Sequence, residues 1–297
     1  RLVGEELAAI DVPRMTRDFP AACEKAMETG QAVHVAAGDY TWLLERLAVF
    51  PNSSLTVAGV AKKTLLRGQW EMAEGSSGRL SGLNITWEAG DEDDATLEVQ
   101  GGDWTFVSCD LRCEKGCVMC VYNGWHGMLA GEDPMEMLTD EALEQDRMGD
   151  KVGDVPSRVL VEECALGGLD DRWERATHLD PNSGQAHSGV DVAGTSVVEL
   201  VRCSILDTAA TAGRAVDDSR MVLRLCHVAY GMSGLLAFDR ASLEVEDSRV
   251  DFMFAGAAVR GDDSSIVRVD RCDIKECAIG VAFYNAASVS VSRTNFL

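Results

Sequence analysis

Three cysteines, in the run Cys113-Glu-Lys-Gly-Cys117-Val-Met-Cys120, have the types and spacing that speak most directly of chemistry in this chain. Thiolates at that spacing hold iron–sulfur clusters in radical enzymes that use S-adenosylmethionine, and the same three residues offer ligands to zinc. Against this, Cys117-Val-Met-Cys-Val-Tyr122-Asn123 aligns with Ile279-Gly-Val-Ala-Phe-Tyr284-Asn285 further along the chain, which makes both thiols ordinary strand residues. The helical periodicity of the barrel such enzymes require is also missing. No metal site is therefore favoured, with Cys113, Cys117 and Cys120 as the alternative.

Carboxylates form the second group. If the strands described below stack, Glu246 falls over Asp270, Glu244 beside Arg268, and Arg224 one rung from Glu246. Two acids one rung apart with an arginine at hand could share a proton and act as acid and base on a glycosidic bond. A solvated face of alternating charge is the competing reading. The acidic run Asp91 to Asp94 offers oxygens to calcium, yet no glycine-punctuated loop accompanies it, so no cofactor is expected and calcium is the alternative. His126, His178 and His187 lack ligand spacing on any one element.

The elements that must position these groups are written as a repeat. Val198-Glu-Leu200-Val-Arg-Cys203-Ser-Ile205 recurs as Met221 to Val228, Leu243 to Val250, Val267 to Ile274 and Val289 to Phe296. The phrase runs apolar, any, apolar, any, any, small, any, apolar, and its small residue stands at 203, 226, 248, 272 and 294. Alternation means strand, and a unit this short cannot bury its apolar face alone, so the units must stack. Earlier copies place rungs at Cys109 and Cys164, with weaker ones at Val60 and Leu83. Nine rungs at about 4.8 Å each make a stack on the order of 40 Å long. Gly189, Gly213, Gly234, Gly256 and Gly280 mark one recurring corner.

Ahead of the repeat, Phe19, Ala22, Cys23, Ala26 and Met27 fall at helical spacing, Pro20 sits in the first turn and Gly30 ends the helix. Residues 1–50 are read as an N-terminal capping segment and 51–297 as the solenoid. The steps from Cys109 to Cys164 and from Cys164 to Cys203 exceed one coil, which leaves inserted loops at about 125–156 and 170–187. Trp125, His126, Arg172, Trp173 and Arg175 lie in these loops, where binding to a protein partner is expected because rigid repeats carry recognition on their long loops. By rung phase the loops leave from different corners and need not face one another.

Composition narrows the partners. A net charge of −22 argues against nucleic acid and against free polyanionic glycans unless calcium bridges the like charges. It leaves a basic protein surface or a neutral ligand. No run of residues is long and apolar enough for a membrane span. Five of the ten cysteines share one rung position, where neighbours stack rather than cross-link, which implies free thiols and a reducing compartment: the cytoplasm, or an organelle after a targeting peptide is removed. The last residues stop inside a rung, so either the native chain continues or a partner covers the open end of the stack.

The opening from Phe19 to Tyr40, a helix followed by Val33-His-Val35-Ala-Ala-Gly38-Asp-Tyr40, resembles that of right-handed parallel β-helix proteins of the pectin-lyase-like type, with Ala37 where the family carries proline. The resemblance implies an all-β, right-handed parallel β-helix of about nine to ten coils with an N-terminal capping helix. It says little of function, because that fold serves lyases, hydrolases, epimerases, esterases and recognition modules alike. The motifs of the pectin-active families, Asn-Thr-Asp with Gly-His-Gly or Arg-x-Pro-x-x-Arg, do not occur. The reading that follows is a non-catalytic scaffold or recognition module, with no catalytic residue favoured. The alternative is a polysaccharide hydrolase, lyase or epimerase working through Glu246, Asp270, Arg224 and Arg268.

Overall fold

Each copy of the repeated phrase forms a strand whose two flanking apolar residues point inward. Val198 and Leu200, Met221 and Leu223, Leu243 and Val245, and Val267 and Val269 are all but sealed from solvent. Every such side chain contributes about 1.5–3 kcal/mol by leaving water, and it can do so only because the neighbouring coils close over it. The computed structural model describes residues 9–12, 18–41, 46–88, 94–123, 155–168 and 186–297.

The strands wind into a right-handed parallel β-helix of about ten coils. Row one runs from Ile10–Val12 through Val33–Val35, Ser54–Ala58 and Gly102–Val107 to Ser288–Ser292, eleven parallel strands in sequence order. Rows two and three form a second sheet folded along a corner. Row two includes Asp110–Glu114, Ala165–Gly167 and Asp273–Lys275, and row three includes Trp70–Met72, Ala95–Val99, Cys117–Val121, Ala186–Val192 and Ile279–Phe283. In two coils the ladder carries through the corner, so that one strand, Ser204–Ala215 or His227–Ala237, serves both rows despite a left-handed residue within it, Asp207 or Tyr230.

The small-residue column lies at the corner between rows one and two. The residue before each member takes a left-handed conformation, from Ser108 at φ 51° to Arg293 at φ 48°, and that turns the chain onto the next face. Each small side chain then bonds the carbonyl two residues back: Cys203 Sγ to Val201 O at 3.4 Å, Cys226 Sγ to Arg224 O at 3.3 Å, Ser248 Oγ to Glu246 O at 2.7 Å. Successive members are tied through the backbone, as in Ser204 N to Cys164 O and His227 N to Cys203 O. Thiol and hydroxyl thus do the same work, adding a second bond to a carbonyl that already accepts from the neighbouring coil, as Val201 O does from Glu163 N. Cys203→Ser should therefore shift stability by less than about 1 kcal/mol, whereas Cys203→Leu, too large for the corner, should cost about 1–3 kcal/mol in a urea melt.

All ten cysteines are free, nine of them buried, which is consistent with a non-oxidising environment. The expected rung at Val60 shifts to Thr64, because Asn84 pairs with Leu65 and Val60 sits in an exposed turn whose N–H bonds Thr64 Oγ1 at 2.8 Å. The helix, Phe19–Thr29, is capped by Asp18, which accepts from Ala21 N, and by Gly30 at φ 71°. It packs against the first coils, with the Phe19 ring 5.7 Å from that of Trp70. A strand not anticipated, Ile10–Val12, precedes it and opens row one. Among the described residues no helix is long and apolar enough to cross a membrane.

Candidate functional site

Both insertions adjoin row three, one at each end of its strands. The first follows Val121, and the chain returns in row one at Ser157–Glu162; the second follows row two, and the chain returns at Ala186–Val192. Cys117–Val121 and Ala186–Val192 are direct partners, Cys120 opposite Asp191. The two insertions thus leave the coil from different corners, as expected, the first after a row-three strand and the second after a row-two strand. Trp125, His126, Arg172, Trp173, Arg175 and His178 lie outside the described residues, as do Asp91 to Asp93.

The outer face of row three is a column of side chains at the centre of apolar–x–apolar triplets. Trp70-Glu71-Met72, Leu97-Glu98-Val99, Met119-Cys120-Val121 and Val190-Asp191-Val192 send their outer two residues into the core and leave the middle one facing out. Strand pairing sets these in sequence along the axis: Glu71, Glu98, Cys120, Asp191, Arg214.

At one end of the column two carboxylates share an arginine. Arg46 Nη1 lies 3.0 Å from Glu98 and 3.8 Å from Glu71, and its other nitrogen is 4.0 Å from Asp94. Gln69 Nε2 donates to Ala95 O at 2.8 Å and reaches Glu98 Oε1 at 3.4 Å; Gln100 Nε2 donates to Glu71 Oε1 at 3.0 Å and to Tyr122 Oη at 3.3 Å. The Glu98 side chain keeps only 11% of its surface, while that of Glu71 keeps 29%. Burial pushes the Glu98 carboxyl above its ordinary value even though Arg46 pulls it down, and Glu71 and Asp94 add to the upward push. The result is a sheltered carboxyl inclined to hold a proton beside a more open one, the difference in environment that separates acid from base.

Further along, Cys117, Cys120 and Asp191 bring two sulfurs and a carboxylate oxygen within 4.8 Å of one another, all three residues buried. Cys117 and Cys120 lie apart from the main core, in a small cluster with Ala95 and Tyr122. Arg214 Nη2 holds Asp191 Oδ2 at 3.0 Å, and Ser188 Oγ donates to Asp191 Oδ1 at 3.3 Å while bonding Thr211 Oγ1 at 2.7 Å. Burial raises the Cys117 thiol well above its ordinary value; at Cys120 the bond with Cys117 pulls the value down, but burial with the nearby Asp191 and Glu98 carboxylates outweighs it and the thiol is raised. Arg214→Ala should cost about 3 kcal/mol by urea unfolding, because the Asp191 carboxylate would be left buried without its counter-charge.

The groups singled out from sequence are distributed differently. Cys113 belongs to Asp110–Glu114 in row two and is sealed in the main core, where burial pushes its thiol up to about 12; Asp191 takes its place beside Cys117 and Cys120. Cys117 and Cys120 do occupy the strand that aligns with Ile279–Phe283, as the pattern indicated. Glu246 and Asp270 are paired across row one as foreseen, with Arg224 opposite Glu246 and Arg268 opposite Glu244. Arg224 also binds Glu199, and Arg220 and Arg268 both bind Glu244. The Ser292 hydroxyl at 2.7 Å and Arg293 at 2.9 Å hold Asp270 below the usual carboxylate range. Glu71, Glu98, Asp191 and Arg214 were missed from sequence, although the recurring apolar–charged–apolar triplet ahead of each turn marks them.

No family model matches the chain, and no curated protein matches it by sequence. Solved structures do match in shape. Pectate lyase Pel9A superposes at a TM-score of 0.53 and 12% identity over 92% of this chain and 72% of its own. The chain has the pectin-lyase-like fold. Rice weevil pectin methyl esterase (TM-score 0.42, 9% identity, 96% of this chain and 90% of that one) and an alginate lyase from Paenibacillus sp. str. FPU-7 (0.40, 10%, 91% and 97%) are more distant in geometry.

The preference for a chain without catalysis is corrected at this point. Pectate lyase Pel9A, which shares the fold, is named for an enzyme activity, and row three gathers Cys117, Cys120 and Asp191 where Cys117 and Cys120 were expected to be ordinary strand residues.

Proposed function

We propose that this protein is a carbohydrate-active enzyme that hydrolyses a neutral or weakly charged polysaccharide on the outer face of row three, with Glu98 as the acid and Glu71 as the base. The observation that carries the reading is the sheltered Glu98 carboxyl next to the more open Glu71, both within reach of Arg46, beside the strand from which the first insertion departs. In the reaction Glu98 gives its proton to the glycosidic oxygen as the bond from that oxygen to the anomeric carbon breaks. Glu71 takes a proton from the water that attacks the anomeric carbon, and the two carboxyls return to their starting states by exchange with solvent. Gln100 holds Glu71 in place from one side, and Tyr122 holds Gln100.

Charge supports the substrate class. A chain of net charge −22 repels polyuronates, so the pectate and alginate named for the enzymes of like shape are less suited than an uncharged glycan. Incubating the protein with neutral glucans, mannans and galactans beside pectate and alginate tests this. The expected result is new reducing ends from a neutral polymer. Products from polyuronates alone, carrying the unsaturated end of a lyase, or products from none, would set the reading aside.

A further inference from the structure

We infer that Cys117, Cys120 and Asp191 form a zinc site, with the two sulfurs and Asp191 Oδ1 as its protein ligands. The inference does not depend on the glycan reading. Three donor atoms, all buried, already lie within 4.8 Å of one another, and they come from two adjacent strands whose register, Cys117 opposite Ser188 and Cys120 opposite Asp191, is fixed by the ladder. Two thiolates and a carboxylate are a borderline-soft set that suits zinc and disfavours magnesium or calcium, and three ligands leave the fourth position of a tetrahedral ion to water or a bound group.

The side chains around the donors fit the same purpose. A metal-ligating carboxylate is normally held by a further partner, and Arg214 holds Asp191 through Oδ2, leaving Oδ1 with a single 3.3 Å bond from Ser188. Ser188 has a second and shorter partner in Thr211, so it can release Oδ1 without being stranded. Charge also balances. With both thiols protonated, Asp191 and Arg214 cancel; when Zn²⁺ binds, two thiol protons leave and the sum stays at zero. Without Arg214 the occupied site would carry an uncompensated negative charge in a buried place. Strand geometry puts Cys117 and Cys120 on the same outer side although they are three residues apart, and the same is true of Ser188 and Asp191. Val118 and Met119 between the cysteines both pack into the main core, so strict alternation breaks there, and the ladder of the neighbouring strand is irregular between Ala186 and Ser188.

Zinc and cobalt binding to the full chain under a thiol reductant test this. The expected results are one equivalent of Zn²⁺ retained against a chromophoric chelator, about two protons released per Zn²⁺ near neutral pH, and a Co²⁺ adduct with the near-ultraviolet sulfur-to-cobalt band and the visible bands of a tetrahedral ion. Cys120→Ser and Asp191→Asn should each weaken zinc by about 100-fold or more, and Cys113→Ser should leave it unchanged. Failure of the wild-type chain to retain zinc at micromolar concentrations would overturn the assignment. So would a Co²⁺ spectrum without the sulfur band, which needs no variant to fold, or undiminished binding by the Cys117→Ser, Cys120→Ser double variant.

Discussion

Replacing Glu98 by glutamine is expected to lower kcat on a neutral polysaccharide by about a hundred- to ten-thousand-fold while changing KM little. Loss of a positioned proton donor costs that much, and the amide keeps the shape and the contact with Gln69. The sign of the pH dependence follows from the environment. Burial raises the Glu98 carboxyl, so the protonated, competent form persists above the usual carboxylate range, and activity falls as pH rises through the Glu98 value. Removing Arg46, which pulls that value down, should move the alkaline limb to higher pH in Arg46→Met. Stability falls with rising pH in the same direction as activity. A carboxyl whose folded value is raised binds its proton more tightly folded than unfolded, so its burial costs stability once pH exceeds the folded value. Glu98→Gln removes that cost and should melt no lower than the wild type at neutral pH, which separates lost chemistry from lost structure.

The second large effect is structural. Gly102→Ala is expected to destabilise the fold by at least about 3 kcal/mol, read as a fall in the urea midpoint. Gly102 holds φ at 92°, and a Cβ there would stand 1.8 Å from the carbonyl oxygen of Ser76 on the adjacent coil. That oxygen belongs to the backbone and cannot swing away. Beside it Ser76 Oγ receives the Trp104 indole N–H at 3.2 Å, and the Trp104 ring stacks near Phe106 at 6.3 Å. Room for one methyl would part the strands Ser77–Ser81 and Gly102–Val107 at the point where the largest core side chains meet. The same substitution at Gly30, where nothing lies within 4 Å, meets only the backbone penalty of the left-handed region, about 1 kcal/mol.

Row one was legible in the sequence because its phrase ends in a small residue that the corner demands, and that residue recurs at nearly constant intervals. The column at Cys109, Cys164, Cys203, Cys226 and Cys272 therefore stood out even across the insertions. Row three was harder to see. Its phrase has no obligatory small residue, and its middle position faces outward, where packing leaves residue type free: Glu98, Cys120, Asp191, Arg214 and Leu236 are successive occupants. Cys120 and Asp191 become neighbours only when both long loops are set aside, since each interrupts the count between them. Reading Cys117 and Cys120 as strand residues was sound as far as secondary structure goes. Their shared outward face depends on a break in strict two-residue alternation at Val118 and Met119. The row-one acids show the reverse case: the pairing of Glu246 with Asp270 and the arginine beside Glu246, Arg224, were plain from spacing, but the arginines that hold Asp270, Arg271 and Arg293, sit at the left-handed corner.

The decisive comparison sets the two acidic faces against each other on one neutral polysaccharide, measuring reducing ends released by the wild type, Glu98→Gln and Asp270→Asn under identical conditions. The expected result is turnover that collapses in Glu98→Gln and survives in Asp270→Asn. Collapse in Asp270→Asn with Glu98→Gln still active would place the chemistry on row one and contradict the assignment of the site to row three.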